Sequence, residues 1–413
     1  MGSLWPTLVR NHWCLIMLAI LTTHPIQYQV PLWQALHKAG VPMEVWYLTA
    51  HGTGVSFDVQ FGQSFAWDIA TLEGYPHRFM EVNEQAAPAR GFRGIRLKTS
   101  LIPLLKERKV RALFINGWQV QAYWQAAWQA HMAGVEVWLR AETNDIKPIQ
   151  PWKEPVRSLL LQQLFKRISR FLYIGESNKR FYLSRGIRND QLAPGPYCVD
   201  NDRFAAAANA VRASRSEIRQ QWGIPDGAYC FLFSGKFINK KRPLDLVQAA
   251  AQWKGLPPVH LLFVGSGELD PTLRAACRVL YPLHEPGNAN TGPTASFTGF
   301  LNQQQIAQAY VAADALVLPS DFGETWGLVV NEAMATGLPA LVSDQVGCAE
   351  DLVAPLNPAL VFRCGDVASL HQAMVQMVSN PPSPNQVQSQ VDHYHLRVTV
   401  RTLQDLYTNL GPC

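Results

Sequence analysis

The sequence is poor in charge: Asp, Glu, Lys and Arg make up 16% of its 413 residues, against 48% apolar residues. That balance excludes a disordered chain, which needs the reverse to stay unfolded in water. Apolar runs long enough to cross a bilayer are missing too, since a spanning helix takes about 20 residues. The run Trp13 to Leu21 has nine and is followed by Thr22-Thr23-His24-Pro25, not by a small-residue cleavage site. It reads as a first buried strand rather than a signal peptide, with residues 1–12 a loosely held extension. The seven cysteines (Cys14, Cys198, Cys230, Cys277, Cys348, Cys364 and Cys413) are odd in number and scattered, with no Cys-x-x-Cys. Neither a disulfide framework nor a zinc site is indicated, and a reducing cytoplasm is the expected location. No Gly-x-Gly-x-x-Gly follows the first strand, where His24-Pro25 stands; this argues against a dinucleotide oxidoreductase. Repeats and coiled-coil heptads are also missing.

What is present is a chain long enough for two or three domains, with a modest net charge of +5. The charge is uneven: from Lys147 to Asp190 ten Lys/Arg face three acids, a local net of +7, so the rest sums to −2. Such a segment is either a solvated helix face or a surface attracted to an anionic membrane or anionic acceptor. No nucleic-acid recognition module accompanies it, and no nucleic-acid partner is expected.

Short apolar runs alternate with helical patterns along most of the chain, the rhythm of an α/β fold with parallel sheets. Predicted strands include Met43 to Thr49, Ala112 to Asn116, Val135 to Arg140, Phe171 to Ile174, Tyr229 to Ser234, Val259 to Val264 and Ala315 to Leu318. Gly and Pro cluster at 194–196, placing a domain boundary there: residues 1–198 form one lobe and 199–394 the other. A Pro/Ser linker (Pro381 to Pro384) precedes a last helix, about Arg397 to Asn409 within 395–413. Residues 51–100 are the least regular, rich in Tyr, Trp, Phe and Gly, and loops of that length on an α/β scaffold are usually functional.

The most informative stretch runs from Ala315 to Val353. It is one strand–helix–strand unit, and ligands of such sheets sit beyond the carboxyl ends of the strands. Glu324 lies in the loop after the strand and Glu332 eight positions on, inside the helix. A wholly helical spacing would separate them by about 12 Å along the axis, too far for a glycosidase pair, which needs roughly 5–9.5 Å. Two carboxylates holding two parts of one long polar ligand fits better, with the amides of Thr325, Trp326, Gly327 and Leu328 opening a helix where a phosphate could lie. Upstream, the strand ending at Ser234 runs into Gly235-Lys236 and then Lys240-Lys241-Arg242. Cations at a helix start oppose the helix dipole unless an anion sits among them. Val264 runs into Gly265-Ser266-Gly267, another loop where backbone can approach a ligand.

The pattern Pro-Ser-x-x-x-Glu-x-x-Gly-Leu-Val-x-x-Glu-Ala-Met-Ala-x-Gly-x-Pro resembles the nucleotide-sugar site of family-four retaining glycosyltransferases. The resemblance is specific over 229–378, moderate over 171–204 and limited to loop patterns before that. It implies a GT-B fold, two Rossmann-like lobes facing across a cleft. It implies that Glu324 binds donor-sugar hydroxyls, Glu332 the ribose, and Lys236 and Lys241 the diphosphate, at the family's Arg and Lys positions. Arg242 stands where the family usually has Gly. His24-Pro25-Ile26-Gln27-Tyr28-Gln29 matches a loop of many bacterial members, which puts His24 and Gln27 on the cleft. Many members carry a cleft histidine near the end of the strand Val135 to Arg140; here Arg140 and Glu142 occupy that region, against a His-based role. Gly347-Cys348-Ala349-Glu350-Asp351-Leu352-Val353 is similar to a Gly-Gly-x-Pro-Glu-x-Val segment, with Asp351 in the place of the acid and Glu350 in the place of Pro.

The expectation is a cytoplasmic retaining glycosyltransferase, peripheral at most on the membrane. It would take a nucleotide-diphosphate sugar as co-substrate and pass the sugar to a saccharide or lipid-linked acceptor, with neither cofactor nor metal, in envelope polysaccharide or glycolipid synthesis. The rivals are another GT-B enzyme, such as a sugar phosphorylase or nucleotide-sugar epimerase, and a non-catalytic sugar-binding homologue.

Overall fold

The computed structural model describes residues 17–51, 56–58, 63–65, 70–84, 86–87, 90–144, 146, 154–254, 257–280 and 293–410. The expected start of the first strand at Trp13, part of the basic segment (147–153) and most of the loop expected over Leu280 to Thr294 lie outside them.

The first lobe runs β1 (Met17–Thr22), α1 (Val30–Lys38), β2 (Met43–Tyr47), the hairpin β3 (Ser56–Asp58) and β4 (Gln63–Phe65), β5 (His77–Phe79), α2 (Ile102–Glu107), β6 (Val110–Asn116) and α3 (Gln121–Met132). It continues with β7 (Glu136–Arg140), α4 (Glu154–Phe165), β8 (Arg170–Tyr173), α5 (Glu176–Ser184) and β9 (Leu192–Pro194). Seven of these strands form one sheet in the order β5-β2-β1-β6-β7-β8-β9, all parallel. The alternation along β1 explains why: Leu18 and Ile20 point into one apolar cluster, Ala19 and Leu21 into the other. A strand buried on both faces is a near-continuous apolar run, as this one is from Met17 to Leu21.

The second lobe runs α6 (Asn201–Val211), α7 (Arg215–Gln221), β10 (Tyr229–Ser234), α8 (Pro243–Ala251), β11 (Val259–Val264), α9 (Asp270–Leu280), β12 (Thr294–Gly299), α10 (Ile306–Ala312) and β13 (Ala315–Leu318). Then come α11 (Leu328–Ala335), β14 (Ala340–Ser343), β15 (Val361–Phe362), α12 (Val367–Ser379), α13 (Pro384–Asp392) and α14 (Leu396–Thr408). Its six-stranded parallel sheet has the order β12-β11-β10-β13-β14-β15. α14 returns to the first lobe: Val400 and Leu403 join the cluster of Leu18, Trp33 and Leu36, and Gln404 donates to the Ala39 carbonyl.

Three features differ from the sequence reading. The irregular stretch holds the antiparallel hairpin β3–β4. α9 begins directly after the Gly265–Gly267 turn, where no helix was read. The Pro/Ser linker is the start of α13: Ser383 caps the helix, Gln386 reaches back to the Ser383 amide, and Pro384 occupies the first turn. Proline there needs no partner for a missing N–H, so it starts a helix instead of breaking one.

Candidate active site

β10 and β13 are neighbours, and the loops leaving their carboxyl ends meet. The Asp321 amide donates to the Lys240 carbonyl at 2.9 Å, and the Lys241 ammonium donates to the Glu324 carboxylate. The two groups read separately from the sequence are therefore one ion pair, with side chains only 16% and 17% exposed. Removing either leaves the other a largely buried, uncompensated charge. Lys236 follows Gly235 at the end of β10 and is partly buried.

Backbone shape holds these loops. Gly235 and Gly265 have φ of +150° and +134°, and a Cβ on Gly265 would stand 2.0 Å from the Gly235 carbonyl oxygen. Gly265 is thus required by loop packing whether or not a ligand binds. Gly347 is as constrained, its Cβ falling 1.8 Å from the Thr325 carbonyl oxygen. There the Gly347 and Cys348 amides donate to the Glu324 and Trp326 carbonyls at 3.1 and 3.0 Å. Among the described residues, the amides of Thr325, Trp326, Gly327 and Leu328 meet no backbone acceptor. Gly327 and Leu328 are the cap and first residue of α11, as at any helix start, and Thr325 and Trp326 belong to the loop before it.

Glu332, in the second turn of α11, accepts from the Tyr310 hydroxyl at 2.6 Å. Burial pushes its carboxyl up to about 7, opposed by the Tyr310 hydrogen bond and the Arg203 charge. Near neutral pH it is poised between acceptor and donor. The Trp326 side chain faces elsewhere: its indole donates to Asn331 at 2.8 Å, and its ring lies where a Cβ on Gly175 of the first lobe would have to go. Only its amide is on offer to a ligand.

Facing these loops is a cavity of about 420 Å³, walled by Asn116, Trp118, Gln119, Arg140, Glu142 and Arg157 among others of the first lobe and by Phe322 and Thr325 of the second. Arg140 is buried, its Nε donating to Asn116 Oδ1 at 3.1 Å and its guanidinium lying 5.7 Å from the Phe114 ring centre and 5.8 Å from that of Tyr197. Glu142 accepts from the Tyr197 hydroxyl and, at 3.0 Å, from the Thr325 hydroxyl across the cleft. The buried Asn116 Nδ2 has no partner among the described residues.

His24 and Gln27 do not line this cavity, but Gln29 of the same loop does. His24 packs edge-on against His51 and pairs with the Thr23 hydroxyl at 3.0 Å; burial, then the His51 charge, lower it to about 4. It is a neutral imidazole at physiological pH. Asn116, Trp118, Gln119 and Tyr197 were not singled out from sequence. The signal for the first three was available, since Asn116-Gly117-Trp118 follows the carboxyl end of β6.

The lobes meet along a polar seam. Asp351 accepts the Glu176 amide at 3.0 Å and so caps α5 from the opposite lobe, while Glu350 forms two 2.8 Å bonds with Arg180. Two of the departures from the family segment, Glu350 and Asp351, therefore help to dock the lobes. One Asp-x-Asp triplet exists, Asp200-Asn201-Asp202. Asp200 caps α6 through the Arg203 amide at 3.1 Å, and Asp202 lies 3.3 Å from His395 Nε2.

Residues 214–393 match the family described as Glycosyl transferases group 1, spanning the stretch that carries the sequence resemblance. A GDP-mannose-dependent alpha-mannosyltransferase of Mycobacterium tuberculosis is 32% identical over 169 residues, which are 41% of this chain and 37% of that protein. The chain therefore matches well under two thirds of that relative's length. The crystal structure of a glycosyltransferase from Rickettsia africae superposes with a TM-score of 0.68 over 96% of this chain and 98% of that one, at 13% identity. That of Anabaena HepE in complex with UDP gives 0.65 over 95% and 99%, at 14% identity. The fold is the two-lobed GT-B fold of those glycosyltransferases.

Proposed function

We propose that this chain, whose residues 214–393 match the group 1 glycosyl transferases, moves a sugar from a nucleotide-diphosphate donor to a hydroxyl of an acceptor, with retention of configuration and without a metal. The reading rests on one observation above all. Lys241, Glu324 and a helix start with unpaired amides converge beyond the strands β10 and β13, opposite a polar cavity of the other lobe.

In this reading the diphosphate lies against Lys236, Lys241 and the amides of Thr325 to Leu328, and Glu332 takes the ribose hydroxyls. Glu324, fixed by Lys241, takes the sugar hydroxyls. The acceptor enters from the Arg140–Glu142 side. Lysines and amides aimed at the leaving diphosphate stabilise charge as it develops, usually the largest part of such catalysis. The phosphate oxygen that leaves can take the acceptor proton on the same face, so no protein base is required. Closing the seam excludes water and suppresses hydrolysis of the donor.

The test is thermal stabilisation by UDP-, GDP- and ADP-sugars. A donor at 100 times its Kd adds about 2.7 kcal/mol, a rise of roughly 5–10 °C for a lobe of this size. Glu332→Ala should abolish the shift, and Lys241→Ala should weaken it and make it more salt-sensitive. An unchanged shift in both variants overturns the assignment. Turnover without an acceptor would point to an epimerase, and dependence on inorganic phosphate to a phosphorylase.

A further inference from the structure

Eleven large apolar side chains are exposed among the described residues, and six of them (Phe92, Trp128, Met132, Val156, Leu159 and Leu160) belong to α3, α4 and the turn before α2. They are not scattered. Trp128 and Met132 continue the i, i+4 row begun by Trp124 on α3, and Val156, Leu159 and Leu160 take the i, i+3, i+4 positions of α4. Two of the α4 positions are more exposed than buried by a clear margin, Val156 at 63% and Leu159 at 59%. Contiguous apolar surface of this kind marks a binding surface more often than chance.

Between these helices runs a second cavity, of about 620 Å³, walled by Phe92, Trp118, Trp124, Val156, Leu160 and Leu161, with Gln119 and Arg157. Trp118, Gln119 and Arg157 also wall the polar cleft. The two cavities therefore share part of their walls, and the Arg157 cation stands in the shared part. Burial draws the Arg157 pKa down; of the charges beside it, Glu154 pulls it up and Arg185 pushes it down. From cleft to groove the lining passes from hydrogen-bonding groups, through a guanidinium, to aromatic and aliphatic side chains. Four of the lining residues, Val156, Arg157, Leu160 and Leu161, belong to the segment whose sequence carries ten cations against three acids.

We infer that the acceptor is an anionic amphiphile: a hydroxylated head linked through a phosphate to a hydrocarbon chain. The head occupies the cleft beside Arg140 and Glu142, the phosphate meets Arg157, and the chain lies in the groove between α3 and α4. The position of the head rests on the transferase reading above; the groove and its cation do not.

The probes are octyl, decyl and dodecyl phosphate, each below its micelle concentration, titrated into the full chain by calorimetry. Each added methylene should tighten binding about fourfold, so dodecyl phosphate should bind roughly 250-fold more tightly than octyl phosphate. Leu160→Glu, at a position already 52% exposed, should flatten the dependence on chain length without unfolding the protein. Arg157→Ala should weaken all three phosphates about equally, by roughly tenfold for one charge-assisted contact. Val279→Glu, on α9 and 80% exposed, should change nothing.

A wild-type series with no dependence on chain length overturns the inference, as does a Leu160→Glu series that matches wild type. It also falls if the protein sediments as a dimer that Leu160→Glu dissolves and dodecyl phosphate does not, since a second copy then covers the groove. Binding to phosphatidylglycerol vesicles without any chain-length dependence for the single-chain phosphates would make the face a bilayer dock and overturn it too. Nucleotide-sugar stabilisation measured on the same preparations separates the two readings. Its loss with an intact alkyl-phosphate series sinks the transferase alone, and the reverse sinks only this inference.

Discussion

In the second lobe, the loops at the mouth of the site are fastened by backbone: glycines stand where no Cβ fits, and amides donate to carbonyls of the adjoining loop. In the first lobe the facing wall is made of side chains from separate segments, Gln29, Asn116, Arg140, Glu142, Arg157 and Tyr197, held by hydrogen bonds and ring contacts. A site built from backbone shape accepts one ligand geometry, while one built from side chains can change its ligand by substitution. That division suits a constant donor and a variable acceptor.

The sharpest way to break this contrast is to put a methyl group at equivalent loop glycines. Gly265→Ala places Cβ 2.0 Å from a carbonyl oxygen at φ +134°, so neighbouring backbone must move. A loss of about 3 kcal/mol or more is expected, read as the midpoint of urea unfolding. Gly117→Ala, at φ +119° in the first lobe, meets only the movable Gln119 side chain, at 2.1 Å. It should cost about 1–2 kcal/mol. Equal losses would remove the distinction.

A second substitution tests whether the walls divide the labour. Glu142→Gln keeps an acceptor for Tyr197 and Thr325 but removes the charge facing the cleft. kcat/KM should fall about 10- to 100-fold, the range of a lost charge-assisted contact, while stabilisation by the nucleotide sugar stays as in wild type. A lost donor shift would place Glu142 on the donor's side.

The same division explains what could be read in advance. β10, β11 and β13 have the ends assigned to them from sequence, because buried parallel strands are unbroken apolar runs stopped by Gly, Ser or Pro. Glu324, Glu332 and the lysines could be picked out because they stand in short continuous motifs that resemble those of a known family. The pairing of Lys241 with Glu324 could not, since it joins groups 83 residues apart. Nor could the wall of Gln29, Asn116 and Tyr197, which no local pattern connects. α13 was missed for a local reason, a proline that starts a helix read as one that ends it.

Glu332 gives a smaller effect, visible through pH. Its carboxyl rises from an ordinary value of 4.5 to about 7 on folding, so the folded chain binds that proton more tightly than the unfolded one. Stability is therefore lost as pH climbs from 4.5 to 7. Glu332→Gln keeps an acceptor for Tyr310 and removes the titration. It should stabilise the protein above pH 7 by on the order of 2 kcal/mol and by almost nothing below pH 4.5. Melting curves at the two ends of that window check it, and a pH-independent difference would refute the burial argument.

The smallest effect sits where the backbone rule of the second lobe is itself broken. Arg242 adopts φ +50°, ψ +43°, left-handed, directly before Pro243, at the position where the family usually has glycine. That conformation costs a non-glycine residue about 1–2 kcal/mol. Against it stands the two-pronged pair with Asp245, at 2.7 and 3.2 Å, worth at most about 1 kcal/mol at this half-exposed position. Arg242→Ala keeps the strain and loses the pair, so about 1 kcal/mol should go. Arg242→Gly loses the pair but sheds the strain, at the expense of a freer unfolded chain, and should lie within about 0.5 kcal/mol of wild type. The gap between the two variants measures the strain itself. If they unfold at the same denaturant concentration, the left-handed turn is unstrained and the usual glycine needs another explanation, such as room for a phosphate.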